Sequence, residues 1–102
     1  MAFVAIERRT GAMLGVGRLH LMPNMSTAEY AVLVRSDMKG KGLGWLLMQM
    51  LIEYARLENI ATIQGEVLAD NTVMLSMCAE LGFTVSESPE DANIRLVKLN
   101  IG

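Results

Sequence analysis

The stretch that decides the fold is AEYAVLVRSDMKGKGLGWLLMQMLIEYARL, residues 28–57, in which an apolar run passes through a glycine-rich loop into a second apolar run. Residues 28–35 are rich in valine, leucine and tyrosine, which favours a β-strand. Apart from Glu29 and the closing Arg35, this segment is apolar on both of its alternating faces. That pattern predicts a strand in a sheet that is covered on both sides.

The loop places three glycines, Gly40, Gly42 and Gly44, within a short span at the expected helix start. Glycine is unfavourable there unless the backbone must approach something closely. The first N–H groups of a helix lack intrahelical partners and carry partial positive charge, so they bind anions well. The nearby cations are Arg35, Lys39 and Lys41. The segment therefore fits a diphosphate, while a tight turn with solvated lysines is the alternative that spacing alone leaves open.

Two other phosphate-binding motifs fit this loop less well. A P-loop needs a lysine and a hydroxyl residue after its last glycine, whereas Trp45 and Leu46 stand there. A dinucleotide fingerprint needs the spacing G-x-G-x-x-G, and the spacing here is G-x-G-x-G. A nucleotide-binding α/β domain is therefore the weaker interpretation.

Two helices are predicted. The first runs from Leu43 to about Glu58, because its apolar residues follow the i, i+3, i+4, i+7 spacing of a buried face. These residues are Leu43, Leu46, Leu47, Met50, Leu51, Tyr54 and Leu57. The second covers residues 70–83, with Asp70 or Asn71 as N-cap and Gly82 as C-cap. Its predicted buried face consists of Val73, Met74, Met77, Cys78 and Leu81.

The remaining segments alternate strands and turns. Strands are predicted over residues 3–8, 12–23, 61–69, 83–87 and 94–101, in addition to 28–35. The resulting order, β-β-β-α-β-α-β-β, implies two parallel strands around the first helix and antiparallel hairpins on either side. The predicted fold class is α/β of the α+β type, with a mixed, largely antiparallel sheet in a single domain of residues 1–102.

Composition excludes several classes of protein. The net charge of −2 gives no bulk affinity for nucleic acid. No apolar run approaches the ~18 residues of a membrane span. A single cysteine, Cys78, allows no internal disulfide and fits a reducing, cytoplasmic setting. The only histidine, His20, has no partner at metal-ligand spacing, so we expect no metal site.

The loop and the second helix together resemble the GNAT superfamily of N-acetyltransferases. That family's pyrophosphate signature is Q/R-x-x-G-x-G/A; here Lys39 takes the first place, and Gly42 and Gly44 the two small positions. The family's later helix often reads N-x-x-A-x-x-L-Y-x-x-x-G-F. The corresponding residues are Asn71, Met74, Met77, Cys78, Gly82 and Phe83. The element order is similar to the family's second through seventh strands.

A narrower resemblance is to the C-terminal acetyltransferase domain of bacterial protein lysine acetyltransferases, through A-E-Y-A-V at residues 28–32 and the loop that follows. Members of the superfamily usually begin with a strand and two helices before the hairpin, so we expect an N-terminally truncated form of the fold. The sheet edge left exposed would favour self-association, which makes a homodimer an expectation.

The resemblance implies acetyl-CoA as co-substrate, held in a cleft where two parallel strands splay apart. Backbone groups of Val32, Leu33 and Val34 would pair with the pantetheine arm like an added strand. The diphosphate would be held by N–H groups from Lys39, Gly40, Lys41, Gly42, Leu43, Gly44 and Trp45. Asn71 would lie near the arm from the other side.

Glu29 is the candidate catalytic residue, because the resemblance places it at the family's general base. Alternation puts it on one face with Ala31 and Leu33, and partial burial there would raise its pKa towards the range of a useful base. The alternative is a glutamate that faces solvent or pairs with Arg35. Cys78 stands where many members carry a proton-donating tyrosine; it is expected to be plain core, and no general acid is assigned.

The leading interpretation is an enzyme that moves acetyl from acetyl-CoA to a primary amine, with a protein lysine as the first candidate acceptor. The amine would attack the thioester directly, with Glu29 as general base. The alternative is a non-catalytic acyl-CoA-binding module that regulates a partner.

Overall fold

The computed structural model describes residues 1–102 as six strands and two helices. The strands are β1 Ala2–Ile6, β2 Met13–Leu21, β3 Thr27–Val34, β4 Thr62–Leu68, β5 Thr84–Glu87 and β6 Ile94–Asn100. The helices are α1 Leu43–Leu57 and α2 Thr72–Glu80. The predicted order of elements is confirmed, and each predicted strand end falls within a residue or two of the observed one. Neither helix is long and apolar enough to cross a membrane.

All six strands form one sheet in the order β1-β2-β3-β4-β6-β5. Only β3 and β4 run parallel, joined by the α1 crossover, and every other pair is antiparallel. The predicted mixed, largely antiparallel sheet with a central parallel β-α-β unit is therefore confirmed.

The parallel pair separates soon after it begins. Residues Thr27 to Glu29 of β3 pair with Thr62 to Gln64 of β4, and the pairing stops there. Beyond that point β3 remains bonded to β2 as far as Val34, while β4 remains bonded to β6 as far as Leu68. The two strands thus leave an opening between residues 30–34 and residues 65–68, which we call the fork.

Both helices lie on the same face of the sheet. One core contains Met48 and Leu51 of α1, Cys78 of α2 and Ala28 of β3. On the other face, which we call the open face, Leu33 is 71% exposed. The prediction of a sheet covered on both sides is therefore wrong for β3. An apolar run shows that both faces of a strand are apolar, but it does not show that the chain has a second layer to cover them.

The helices also bury faces that differ from the predicted ones. The buried residues of α1 are Leu47, Met48, Leu51, Ile52 and Ala55. Leu46, Met50 and Leu57, which were predicted to be buried, are exposed. The helix sits close over β2, where a Cβ at Gly17 would lie 3.3 Å from Leu51 Cδ1. In α2, Val73 is 77% exposed, so its predicted burial is wrong as well.

Candidate functional site

The loop between β3 and α1 depends on glycine for its shape. After a single 3-10 turn at Ser36–Met38, Lys39 is extended and leads to Gly40 at φ 79°. Gly42, the N-cap of α1, has φ 83°. Both glycines lie in the left-handed region, which other residues adopt only with strain. The loop conformation therefore explains why two of the three glycines are there.

This loop presents an unbroken row of backbone donors. No N–H group of residues 40–45 donates to another atom of the chain, and the first helical bond runs from Leu46 N–H to the Gly42 carbonyl at 3.0 Å. The donors stand at the N-terminus of a 15-residue helix, where the helix dipole adds partial positive charge. Such a row is a suitable site for an anion. Predicted positions Gly40, Lys41, Gly42, Leu43, Gly44 and Trp45 are all brought together here.

The side-chain charges beside the row differ from the prediction. Arg35, expected to add positive charge, donates from Nε to Asp37 Oδ1 at 2.6 Å and from Nη2 to Asp37 Oδ2 at 2.9 Å. These hydrogen bonds hold the pKa of Asp37 below its ordinary value. The pair neutralises itself, so Lys39 and Lys41 are the cations left to meet a bound anion.

The edge of β3 continues the site from the loop into the fork. Arg35 N–H donates to Leu14 and Met22 N–H donates to Thr27, which fixes the alternation of β3 against β2. Because antiparallel pairing uses every second residue, the main chain of Leu33 faces β2. The main-chain groups of Val32 and Val34 point into the fork. Two of the three predicted strand residues thus offer donors and acceptors there, and Leu33 does not.

Asn71 lies at the same end of the sheet as the loop. It follows β4 as the loop follows β3, and parallel strands bring their carboxyl ends together. Its side-chain oxygen accepts a hydrogen bond from Met74 N–H at 3.2 Å. Of the two predicted N-caps, Asn71 is therefore the one used. Its cap role positions α2 whether or not its amide also meets a ligand.

Glu29 stands where the fork closes. It is the last β3 residue paired with β4, opposite Gln64, and on its other side it is opposite His20 of β2. Its side chain is exposed on the open face and makes no salt bridge, with Arg35 or with any other residue. The expected partial burial is wrong because no layer covers this face. Sequence reasoning left His20 out of the site because its position opposite Glu29 depends on strand register.

Tyr30, next in the chain, points to the opposite, covered face. Its hydroxyl lies 3.4 Å from Cys78 Sγ, and its ring meets Phe83 edge to face at a centroid distance of 5.9 Å. Cys78 is fully buried, so the expectation that it belongs to the core is confirmed. Sequence reasoning sets Tyr30 aside, because it does not match the position of the family's tyrosine. A residue next to Glu29 on a strand must nevertheless face the opposite side.

Comparison with known proteins places this arrangement in a family. Residues 1–83 match the acetyltransferase (GNAT) family. An acetyltransferase of Pseudomonas aeruginosa is 32% identical over 94 residues, which are 90% of this chain and 50% of that protein. An L-methionine sulfoximine/L-methionine sulfone acetyltransferase of Pseudomonas paraeruginosa is 38% identical over 60 residues, 59% of this chain and 35% of that protein. The chain thus spans half or less of the length of these relatives.

Solved structures share the fold. A GCN5-related N-acetyltransferase from Kribbella flavida superposes with a TM-score of 0.83 at 25% identity, over 98% of this chain and 67% of that chain. A protein from Salmonella typhimurium, solved with its cofactor acetyl-CoA, superposes with a TM-score of 0.76 at 23% identity, over 90% of this chain and 60% of that chain. Since the family match covers most of the sequence, the chain belongs to the GNAT family of acetyltransferases.

Proposed function

We propose that this chain transfers the acetyl group of acetyl-CoA to a primary amine. The observation that carries the proposal is the continuity between the free N–H groups of residues 40–45 and the unpaired edge of β3 in the fork. The first feature suits a diphosphate, and the second suits an extended arm that contains amides. Coenzyme A joins these two groups in one molecule.

In this proposal the donor lies along β3 with its diphosphate at the loop. Backbone N–H groups and the ammonium groups of Lys39 and Lys41 hold the phosphates. The pantetheine amides pair with Val32 and Val34 in the way that a peptide adds a strand to a sheet. From Val34 to Tyr30 the fork extends about 13 Å at ~3.3 Å per residue, so the arm brings the thioester to the closed end of the fork.

Glu29 is positioned at that closed end to act as general base. The amine must be neutral to attack the thioester carbon, and a carboxylate can accept its proton directly or through water. Glu29 is exposed on the open face, so an acceptor that arrives from that side meets it without entering the core. Backbone donors near the thioester oxygen would stabilise the tetrahedral oxyanion.

A protein lysine is the acceptor that the open face suits best. The Glu29 carboxylate is exposed, so a side chain on a large partner can reach it. The A-E-Y-A-V segment that resembles bacterial protein lysine acetyltransferases supports the same acceptor. A free amino acid is the second candidate, favoured by the 38% identity to an enzyme named for L-methionine sulfoximine and L-methionine sulfone.

The test follows the release of CoA thiol from acetyl-CoA with lysine peptides, L-methionine sulfone or no amine. We expect amine-dependent release that Glu29→Gln lowers by about 100-fold, the usual range for a general base. Glu87→Gln is the matched control, because it removes the same charge from an exposed strand position at the far edge of the sheet, away from the fork. Equal effects of the two variants would refute the role of Glu29.

An amide-resolved NMR titration separates binding from catalysis. Saturable shifts at residues 40–45, Val32 and Val34 with acetyl-CoA, and smaller shifts with ATP or inorganic pyrophosphate, would support the donor site. Such binding with no transfer to any amine would favour the acyl-CoA-binding module. Tighter binding of ATP than of acetyl-CoA would favour the nucleotide-binding domain.

A further inference from the structure

When acetyl is transferred to an amine, the departing sulfur of CoA takes up a proton, and Glu29 is not placed to donate it. When the C–S bond breaks, its electron pair stays on sulfur as a thiolate, which is a far better leaving group if a proton reaches it at that moment. Glu29 receives a proton from nitrogen on the open face. A separate donor on the covered side of the fork would assist this departure.

We propose that the Tyr30 hydroxyl gives this proton to the sulfur of CoA, with the Cys78 thiol as its hydrogen-bond partner. This inference rests on the proposed function. Tyr30 is the first residue of β3 beyond the last pair with β4, so it stands where the fork closes. Residues 29 and 30 alternate across the strand, which places the base on the open face and Tyr30 on the covered face.

The Tyr30 ring crosses the closed end of the fork. It extends from β3 over β4, where a Cβ at Gly65 would lie only 2.4 Å from Tyr30 Cε1. The hydroxyl then reaches Cys78 on α2, while Phe83 contacts the ring edge to face. Glycine is unfavourable inside a strand unless something must approach its backbone closely. Gly65 leaves room for this ring, which supports a specific placement of Tyr30 rather than incidental packing.

The Tyr30 hydroxyl has a single titratable partner. Its only side-chain hydrogen bond is to Cys78 on α2; β4 contributes Gly65, and Phe83 has no ionisable group. Burial, followed by the contact with Cys78, raises the pKa of Tyr30, and burial also raises the pKa of Cys78. A CoA thiolate formed beside them would be desolvated in the same way. Burial raises the proton affinity of that sulfur too, and the proton moves as negative charge develops on sulfur while the C–S bond breaks.

The proposed step is balanced as follows. The amine nitrogen forms a bond to the thioester carbon, and nitrogen loses one proton through Glu29. The C–S bond breaks, the electron pair moves to sulfur, and the proton of Tyr30 forms the S–H bond of free CoA. The Cys78 thiol can then donate a hydrogen bond to the tyrosinate oxygen, which holds the anion until solvent returns a proton. The products are the amide, CoA thiol and the regenerated side chains.

The chain contains a matched control, since Tyr30 and Tyr54 are its only two tyrosines. Tyr54 also meets a phenylalanine edge to face, Phe3, at a centroid distance of 6.2 Å. We expect Tyr30→Phe to lower kcat by about 100-fold with little change in KM for acetyl-CoA, as for loss of a general acid. Tyr54→Phe should change kcat less than twofold or so.

Fluorotyrosine tests the acidity of the Tyr30 hydroxyl, on which kcat would not depend if the residue only packed in the core. In a Tyr54→Phe background, fluorotyrosine labels Tyr30 alone and makes its hydroxyl more acidic at nearly constant size. We expect kcat to rise with each added fluorine, and the ¹⁹F signal to shift when acetyl-CoA binds. A kcat that is unchanged by fluorination, or a Tyr30→Phe variant as active as Tyr54→Phe, would overturn the inference and leave the proposed function intact. A wild-type protein that transfers acetyl to no amine would overturn both.

Discussion

Replacing Gly42 by alanine tests whether the left-handed N-cap of α1 exists to shape an anion site. The residue has φ 83°, and an added Cβ would meet no atom within 4 Å. The penalty is therefore one of backbone conformation and not of steric overlap. For an alanine held in the left-handed region it amounts to roughly 1–2 kcal/mol.

Gly11 is a matched control for this substitution. It lies in the turn between β1 and β2 at φ 74°, and its added Cβ would also meet nothing within 4 Å. Gly11→Ala and Gly42→Ala should therefore lower the free energy of unfolding by a similar amount, roughly 1–2 kcal/mol, and each kcal/mol lowers Tm by about 4–8 °C in a domain of this size. Stability alone should not distinguish the two variants.

Acetyl-CoA affinity should distinguish them. In Gly42→Ala the backbone at residue 42 relaxes out of the left-handed region. This turns the neighbouring N–H groups away from the position proposed for the acetyl-CoA diphosphate. The loss of one hydrogen bond to a charged group is worth about 1.5–3 kcal/mol, or roughly a 10- to 100-fold rise in Kd. Isothermal titration calorimetry at a temperature where both variants are folded measures this difference. Equal Kd values for Gly11→Ala and Gly42→Ala would refute the assignment of the loop as the diphosphate site.

Three further substitutions probe neighbouring parts of the site. Asn71→Ala removes the cap of α2 and should lower the free energy of unfolding by about 1 kcal/mol in urea titration; an unchanged midpoint would contradict the cap. Gly65→Ala should displace the Tyr30 ring and destabilise the protein by roughly 1–3 kcal/mol, and a normal thermal transition would contradict the tight contact. Asp37→Asn should barely change stability, because the pair is exposed, but it releases Arg35 and should tighten acetyl-CoA binding more at low salt than at high salt. Affinity that is unchanged at low salt would show that Arg35 lies too far from the phosphates.

Much of the architecture could be predicted because it depends on local signals. The order of elements follows from apolar periodicity, and Asn71 caps the start of α2 as predicted. The C-cap is Leu81 and not Gly82, which follows it in the left-handed region at φ 96°. The loop is recognisable from sequence because its glycines lie between a predicted strand and a predicted helix. The number of layers that cover the sheet cannot be predicted from local sequence. The same apolar run in β3 is compatible with one covered face or two, so the exposure of Leu33 and Glu29 could not be read from it.

The parts of the site that escaped prediction depend on register. Pairing with β2 determines that the main-chain groups of Val32, and not those of Leu33, point into the fork. His20 lies opposite Glu29 only in that same register. A shift by one residue would reverse every one of these orientations. The Tyr30 contact with Cys78 joins residues 48 positions apart, and no periodic pattern in either segment specifies it.

The fork gives this sheet an unpaired strand edge in its interior, and that edge affects aggregation and proteolysis of the protein. When nothing lies beside Val32 and Val34, their unpaired main-chain groups form a template on which another extended chain can assemble. A bound donor would cap that edge and, at a concentration of 100 times its Kd, would stabilise the native state by about 2.7 kcal/mol. We therefore expect the supply of acetyl-CoA to set how readily the protein aggregates and how long it survives proteolysis, so that the donor acts on the protein's abundance as well as on its chemistry.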